Sequence, residues 1–148
     1  MRILDADILA YALYDESPAH PYAWEFVERC LSGDLPLSVT PTTILETYNT
    51  LYWYYRVRPL KSLLEKLTLT VEELQVVETS INGLKIAAAE NIPLGDGLLI
   101  ATALQNNIPV IVSNDKHIIN RAPKYGLITE NPVPEETRKV LSEWTPTL

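Results

Sequence analysis

The run Ile108-Pro109-Val110-Ile111-Val112 constrains the fold of this chain more than any other segment. It is apolar and β-branched without the polar alternation of a half-exposed strand, the mark of a central strand covered on both faces. Strands of that kind belong to parallel sheets flanked by helices. The rest of the chain alternates short apolar runs with longer amphipathic ones, which argues for an α/β domain with a largely parallel sheet.

Arg2 to Leu4 reads as the first strand, and Asp5-Ala6-Asp7 opens a helix carrying Ile8, Leu9, Ala12 and Leu13. Pro18 to Leu31 reads as a second helix, with Trp24, Val27 and Leu31 spaced for one face. Leu35 to Val39 is expected as a strand ending at Thr40-Pro41, a pairing that suits an N-cap and a first helical residue. The helix that follows runs through Ile44, Tyr48, Leu51 and Tyr52 until Arg56-Val57-Arg58-Pro59 breaks it. Leu60 to Leu67 is expected as a short helix, Thr68 to Val71 as a strand, and Glu72 to Glu90 as a long helix with Leu74, Val77, Ile81, Leu84 and Ala88 on one stripe. Gly95-Asp96 starts a helix that Asn106-Asn107 ends. Beyond the Ile108–Val112 strand, Leu127 to Thr129 suggests an edge strand and Pro134 to Trp144 a final helix packing Val140, Leu141 and Trp144.

The 148 residues suit one domain, 1–148, with 47% hydrophobic and 21% charged residues, and show no repeat or low-complexity linker. No apolar run approaches the 18 or so residues that suggest a membrane span, and two acids fall where a signal peptide would be apolar. The single Cys30, among Phe26, Val27 and Leu31, allows no internal disulfide and fits a packed thiol in the cytoplasm. A formal net charge of −7 argues against a simple nucleic-acid-binding module, whose affinity comes from a basic surface. It is compatible with an enzyme whose acids hold metal, because bound cations reverse the local sign.

Asp5 and Asp115 each follow an expected buried strand, and ligands of open parallel sheets sit beyond the carboxyl ends of the strands. Glu46 and Asp96 lie in the first or second turn of helices that begin at the same edge. Four carboxylates converging there repel one another unless a cation offsets them, and hard oxygen ligands suit Mg²⁺ or Mn²⁺. Each acid also has a plain structural role open to it. Asp5, Asp7, Asp96 and Asp115 could be N-caps, and Glu46 could sit on a solvated face with Thr43, Asn49, Thr50 and Trp53.

The local sequences favour the site. Ile3-Leu4-Asp5-Ala6-Asp7-Ile8-Leu9 resembles the opening strand and turn of PIN domains. Pro93-Leu94-Gly95-Asp96-Gly97-Leu98-Leu99-Ile100-Ala101-Thr102-Ala103 is similar to that family's third acidic motif, and Val110-Ile111-Val112-Ser113-Asn114-Asp115-Lys116-His117-Ile118 to its fourth. Glu46 falls where the family places its helical glutamate. Asp7 departs from the family, which more often has Asn, Ser or Thr there. The resemblance, over roughly residues 2 to 130, implies a three-layer α/β/α sandwich and a metal-dependent endoribonuclease. It further suggests VapC-like toxins, which form homodimers and are held inactive by a small antitoxin. By carry-over, Asp5, Asp96 and Asp115 are metal ligands, Glu46 ligates metal or orients water, and Asp7, Thr40, Ser113 and Asn114 support them. Nothing in the sequence separates one RNA from another.

Other residues weigh toward structural roles. His117 suits a turn, Arg56, Arg58, Lys61 and Lys66 a solvated face or dimer contact, and Tyr48, Tyr52, Trp53, Tyr54 and Tyr55 a core or interface, although the cations could hold phosphates and the rings stack bases. The main rival enzyme is a haloacid-dehalogenase-like phosphatase, with Asp5-Ala6-Asp7 as nucleophile and acid. It lacks the Gly-Thr turn after Asp7, has Ile100 where an acid belongs, and leaves Asp115 without a task. A non-catalytic PIN scaffold is the other alternative, though such proteins usually lose one or more of the acids that are all present here.

Overall fold

The structure, a computed structural model, describes residues 1–147. Five short strands form one sheet in the order β3-β2-β1-β4-β5: β1 (Arg2–Leu4), β2 (Leu37–Val39), β3 (Gln75–Val76), β4 (Val110–Val112) and β5 (Ile128–Glu130). Every pairing is parallel, with Ile3 opposite Ile111 and Leu4 opposite Val112 at the centre. Successive residues of a strand face opposite sides of the sheet, and the sequence uses both sides. Leu4 and Val112 enter one core with α1 (Ala6–Leu13), α2 (His20–Leu31) and α4 (Leu60–Glu72). Ile3 and Ile111 enter the other, with α6 (Leu94–Gln105) and α7 (Lys116–Arg121). The expected three-layer α/β/α architecture with a parallel sheet is therefore what the chain forms.

Several local expectations need correction. Thr68 to Val71 is not a strand but the last turns of α4, which reaches Glu72. Threonine reads as a strand former, yet the Thr68 and Thr70 hydroxyls donate to the Leu64 and Lys66 carbonyls one turn back, and Thr70 joins Leu63 and Leu67 on the buried stripe. The long helix over Glu72 to Glu90 is also absent. Gln75–Val76 forms β3 on the sheet edge against β2, and only α5 (Gly83–Glu90) is helical. Ile81 is accordingly 71% exposed rather than part of an apolar stripe. In α2 the buried face is Ala23, Phe26, Val27 and Cys30, with Trp24 outside it. The final helix, α8 (Glu135–Glu143), has no buried residue, and Val140 is exposed. Leu141 and Trp144 alone pack on the core.

The crossing of α5 over α6 sets the position of the Asp96 helix. A Cβ on Gly97 would lie 2.5 Å from the Gly83 carbonyl oxygen and 2.7 Å from the Ala87 Cβ. Since backbone stands on the other side, no side-chain rearrangement relieves the clash. Gly97→Ala is expected to destabilise the protein by about 1–3 kcal/mol, measured as a lower urea midpoint at unchanged slope.

Candidate metal centre

β1 lies between β2 and β4, so the chain leaves the sheet centre in opposite directions and a crevice opens where β1 and β4 end. Asp5 directly follows β1 and Asp115 stands three residues beyond β4. Both are N-caps as well as candidate site residues. The Asp5 Oδ1 accepts the Ala6 N–H of α1 at 2.7 Å, and the Asp115 Oδ1 accepts the His117 N–H of α7 at 2.7 Å. Capping thus fixes each carboxylate at the crevice. Asp96 arrives from the first turn of α6, whose N-cap is Pro93. It caps nothing: its Oδ2 is buried and has no hydrogen-bond partner.

Asp5, Asp96 and Asp115 each bring a carboxylate oxygen to within 4.8 Å of the other two. Asp5 and Asp96 are only 7% exposed. Among the described residues no Lys, Arg or His stands within 4.0 Å of these acids, since the ion pairs lie elsewhere, at Arg2–Glu130 and around Glu90. The electrostatic consequence is large. Burial, then the negative charges of Asp115, Asp5 and Glu46, push Asp96 up to about 8. Burial pushes Asp5 up to about 6, although hydrogen bonds from Ser113 and Ala6 oppose it. Three acids held this close, one with an orphaned oxygen and none with a protein cation, fit a divalent ion with hard oxygen ligands.

Glu46 stands beside this triad rather than inside it. It is carried by α3 (Pro41–Asn49), which Thr40 caps by accepting the Thr43 N–H at 3.0 Å. Its carboxylate lies against Gly95, at the position a Cβ there would take. Burial and the charges of Asp5 and Asp115 push it up to about 6. Gly95→Ala would force Glu46 to swing away, while the added methyl suits a helix. We expect the variant to be as stable as the parent or more so in thermal melts, and any activity that depends on the placement of Glu46 to fall about ten- to a hundredfold, the scale of a misplaced active-site group.

The supporting residues form a network around Asp5 and Asp115. The Ser113 hydroxyl donates to the Asp5 Oδ2 at 2.6 Å and accepts the Asp115 N–H at 2.9 Å, so one side chain sets the spacing of two acids. The Asp7 Oδ1 accepts the Ile8 N–H at 2.7 Å and its Oδ2 accepts the Asn114 N–H at 3.0 Å. Burial and the adjacent Asp5 hold Asp7 well above the usual carboxylate range. Among the described residues the Thr40 hydroxyl bonds only to Thr43, and it touches the cluster through the helix it starts. His117 contributes a backbone N–H to the Asp115 cap.

Three participants escaped the sequence reading. Tyr11 accepts from the Asn114 side chain at 3.4 Å, and its place four residues after Asp7, on one helix face, was an available signal. Asn131 donates to the Asn114 Oδ1 at 2.8 Å from the loop after β5, with no local sequence cue. Gly95 makes room for Glu46, a role visible only in three dimensions.

The PIN domain family model matches residues 2–125. No curated protein matches the chain. Among solved structures, the PAE2754 protein of Pyrobaculum aerophilum is similar at a TM-score of 0.62 and 19% identity, over 96% of this chain and 87% of that one. A chain of FitAB bound to an IR36 DNA fragment is similar at 0.64 and 16%, over 89% and 95%. A chain of Rickettsia felis VapBC2, bound to a DNA fragment from its promoter, is similar at 0.63 and 16%, over 88% and 97%. At these identities the structural likeness speaks for the fold, and the family match speaks for the lineage.

Proposed function

The chain belongs to the PIN-domain family, and on that footing we propose that it is a metal-dependent endoribonuclease, hydrolysing RNA phosphodiesters with Mg²⁺ or Mn²⁺. The observation that carries this reading is the triad Asp5, Asp96 and Asp115, with the Asp96 Oδ2 buried and unpartnered. Asp5, Asp96 and Asp115 would hold the ion, and Glu46 would stand beside it. When bound, the ion supplies positive charge against the phosphodiester and lowers the pKa of a water. The chain's own residues do the rest. Ser113 keeps Asp5 and Asp115 at a fixed spacing, and Asp7 pins the Asn114 backbone so that the Asp115 turn cannot drift. Glu46, pushed up to about 6 by burial and by the charges of Asp5 and Asp115, would accept the proton of an attacking water. The phosphatase alternative left Asp115 idle, whereas here it completes the triad.

The reading extends to the toxin half of a toxin–antitoxin pair working in the cytoplasm. Its support is the fold shared with chains of FitAB and VapBC2. None of the chain's described helices is long and apolar enough to cross a membrane. For a second copy of the chain or a small antitoxin, the surface on offer is an open groove of about 890 Å³ between α3 and α4, lined by Ile44, Leu45, Tyr48, Leu64 and Val76. The test is cleavage of a mixed single-stranded RNA pool with Mn²⁺, with Mg²⁺ and with EDTA, using Asp96→Asn as the contamination control. Metal-dependent cutting that the variant lacks supports the proposal. Absence of cutting with either metal, or equal cutting by the variant, overturns it.

A further inference from the structure

Past Asn49 the helix that carries Glu46 continues as a single π turn, Thr50–Tyr54. Such turns are rare and often sit at functional sites. One α turn plus one wider π turn takes about eight residues, so Tyr54 returns to the Glu46 side of the helix roughly 12 Å along it. Here the chain exposes what a folded protein normally covers. Trp53 is 62% and Tyr54 52% exposed. Tyr54 stacks on Tyr55 at 5.1 Å between ring centroids, and Tyr55 stacks on Tyr14 at 4.2 Å, nearly parallel. Tyr54 is thus the solvent-exposed end of a three-ring stack.

The charge beside these rings is the opposite of the chain's. Residues 47–71 hold Arg56, Arg58, Lys61 and Lys66 against the single acid Glu65, in a protein of 12 basic and 19 acidic residues. Among the described residues, none of these four cations has a carboxylate within 4.0 Å. Arg58 is held in place, its guanidinium 3.7 Å from the Tyr52 ring centroid and its Nη1 donating to the Tyr52 and Val57 carbonyls. Arg56 turns the chain in a left-handed conformation at φ 60°, a geometry that a non-glycine residue seldom adopts and that clusters at functional sites. Exposed rings interleaved with unpaired cations match single-stranded nucleic acid, whose bases stack and whose phosphates seek positive charge. They match a second copy of the chain poorly, because a two-fold contact here would set the same cations face to face.

We propose that Trp53 and Tyr54, with Arg56 and Arg58 beside them, form the surface on which single-stranded RNA lies as it runs to the carboxylate cluster, a proposal that rests on the ribonuclease reading. The test is fluorescence anisotropy of a labelled oligoadenylate with the whole protein in EDTA, where binding is read without cutting and a failure of the nuclease reading shows separately. Trp53→Ala and Tyr54→Leu are each expected to weaken binding about 5- to 100-fold, the range for loss of one base-stacking ring. Arg56→Ala is expected to lower the salt dependence of log K by about 0.7, as for one single-strand phosphate contact. Both side chains are exposed, so the ring variants should fold, and circular dichroism checks that they do. Unchanged affinity in the ring variants overturns the proposal. So does an affinity loss traced by sedimentation to a dimer that falls apart, which would make the patch a protein contact. Failure of the parent protein to bind any single-stranded RNA also overturns it.

Discussion

Replacing Asp96 by Asn is expected to slow RNA cleavage about a thousandfold or more while leaving the fold intact and the metal-free protein more stable than the parent. Both halves follow from one fact. The Asp96 Oδ2 is buried without a partner, and the nearest charges, on Asp115, Asp5 and Glu46, are all negative. Asn keeps the shape, removes the charge and takes away a ligand from a site that would have only three. Loss of that ligand removes charge stabilisation at the reacting phosphate, worth about 4 kcal/mol for a thousandfold effect. With no metal present, the same change relieves repulsion and adds about 1–3 kcal/mol of stability at pH 8. Had Asp96 been an N-cap, the substitution would leave stability about unchanged, because Asn caps a helix as well as Asp does. Urea unfolding in EDTA and cleavage in Mn²⁺, run on the same two proteins, read both outcomes.

The second large effect is a pH-dependent stability loss that added metal offsets. Asp5 and Glu46 are pushed up to about 6 and Asp96 to about 8 in the folded protein. Unfolded carboxyls titrate near 4. A raised acid is held better in its protonated form, so its contribution is complete below about pH 4 and is lost as pH climbs through 6 and 8. The metal-free protein is therefore expected to melt about 10 °C lower at pH 8.5 than at pH 5, a difference of a few kcal/mol. Metal binding needs the ionised forms, so affinity for Mn²⁺ rises over the same range and releases protons. At a hundredfold excess over its dissociation constant the ion returns about 2.7 kcal/mol. Differential scanning calorimetry across pH, with and without Mn²⁺, would show the two profiles converging at pH 5 and separating at pH 8.5. Parallel profiles would mean that the acids do not share an ion.

Much of this was legible in the sequence because it is local. The apolar run before Asp115 could only be a covered strand, and Thr40-Pro41 could hardly be anything but a helix start. The acids were legible because capping and ligation call for the same positions at strand ends, where Asp5 and Asp115 cap their helices and bring their carboxylates together. What failed depended on contacts from elsewhere. Gln75–Val76 becomes a strand because β2 offers it an edge, and nothing in the two residues themselves says so. Thr68 to Val71 becomes helix because its threonines bond back to the helix and its buried face matches the core. The network through Tyr11, Asn114 and Asn131 joins α1 to two loops more than a hundred residues away, a distance no pattern of spacing spans. Asp7, the one departure from the family pattern, reads by residue type as an extra ligand, a helix cap or a supporting group, with the supporting role preferred. Both its oxygens accept backbone N–H groups, one of them in the turn that carries Asp115.

Anomalous diffraction from crystals grown at pH 8 with Mn²⁺ would show directly whether the three acids hold an ion. We expect an anomalous peak bounded by oxygens of Asp5, Asp96 and Asp115, at about 2.0–2.3 Å from each, and no such peak in Asp96→Asn. A protein that cuts RNA with Mn²⁺ yet shows its ion elsewhere, or shows none at these three acids, would contradict that expectation.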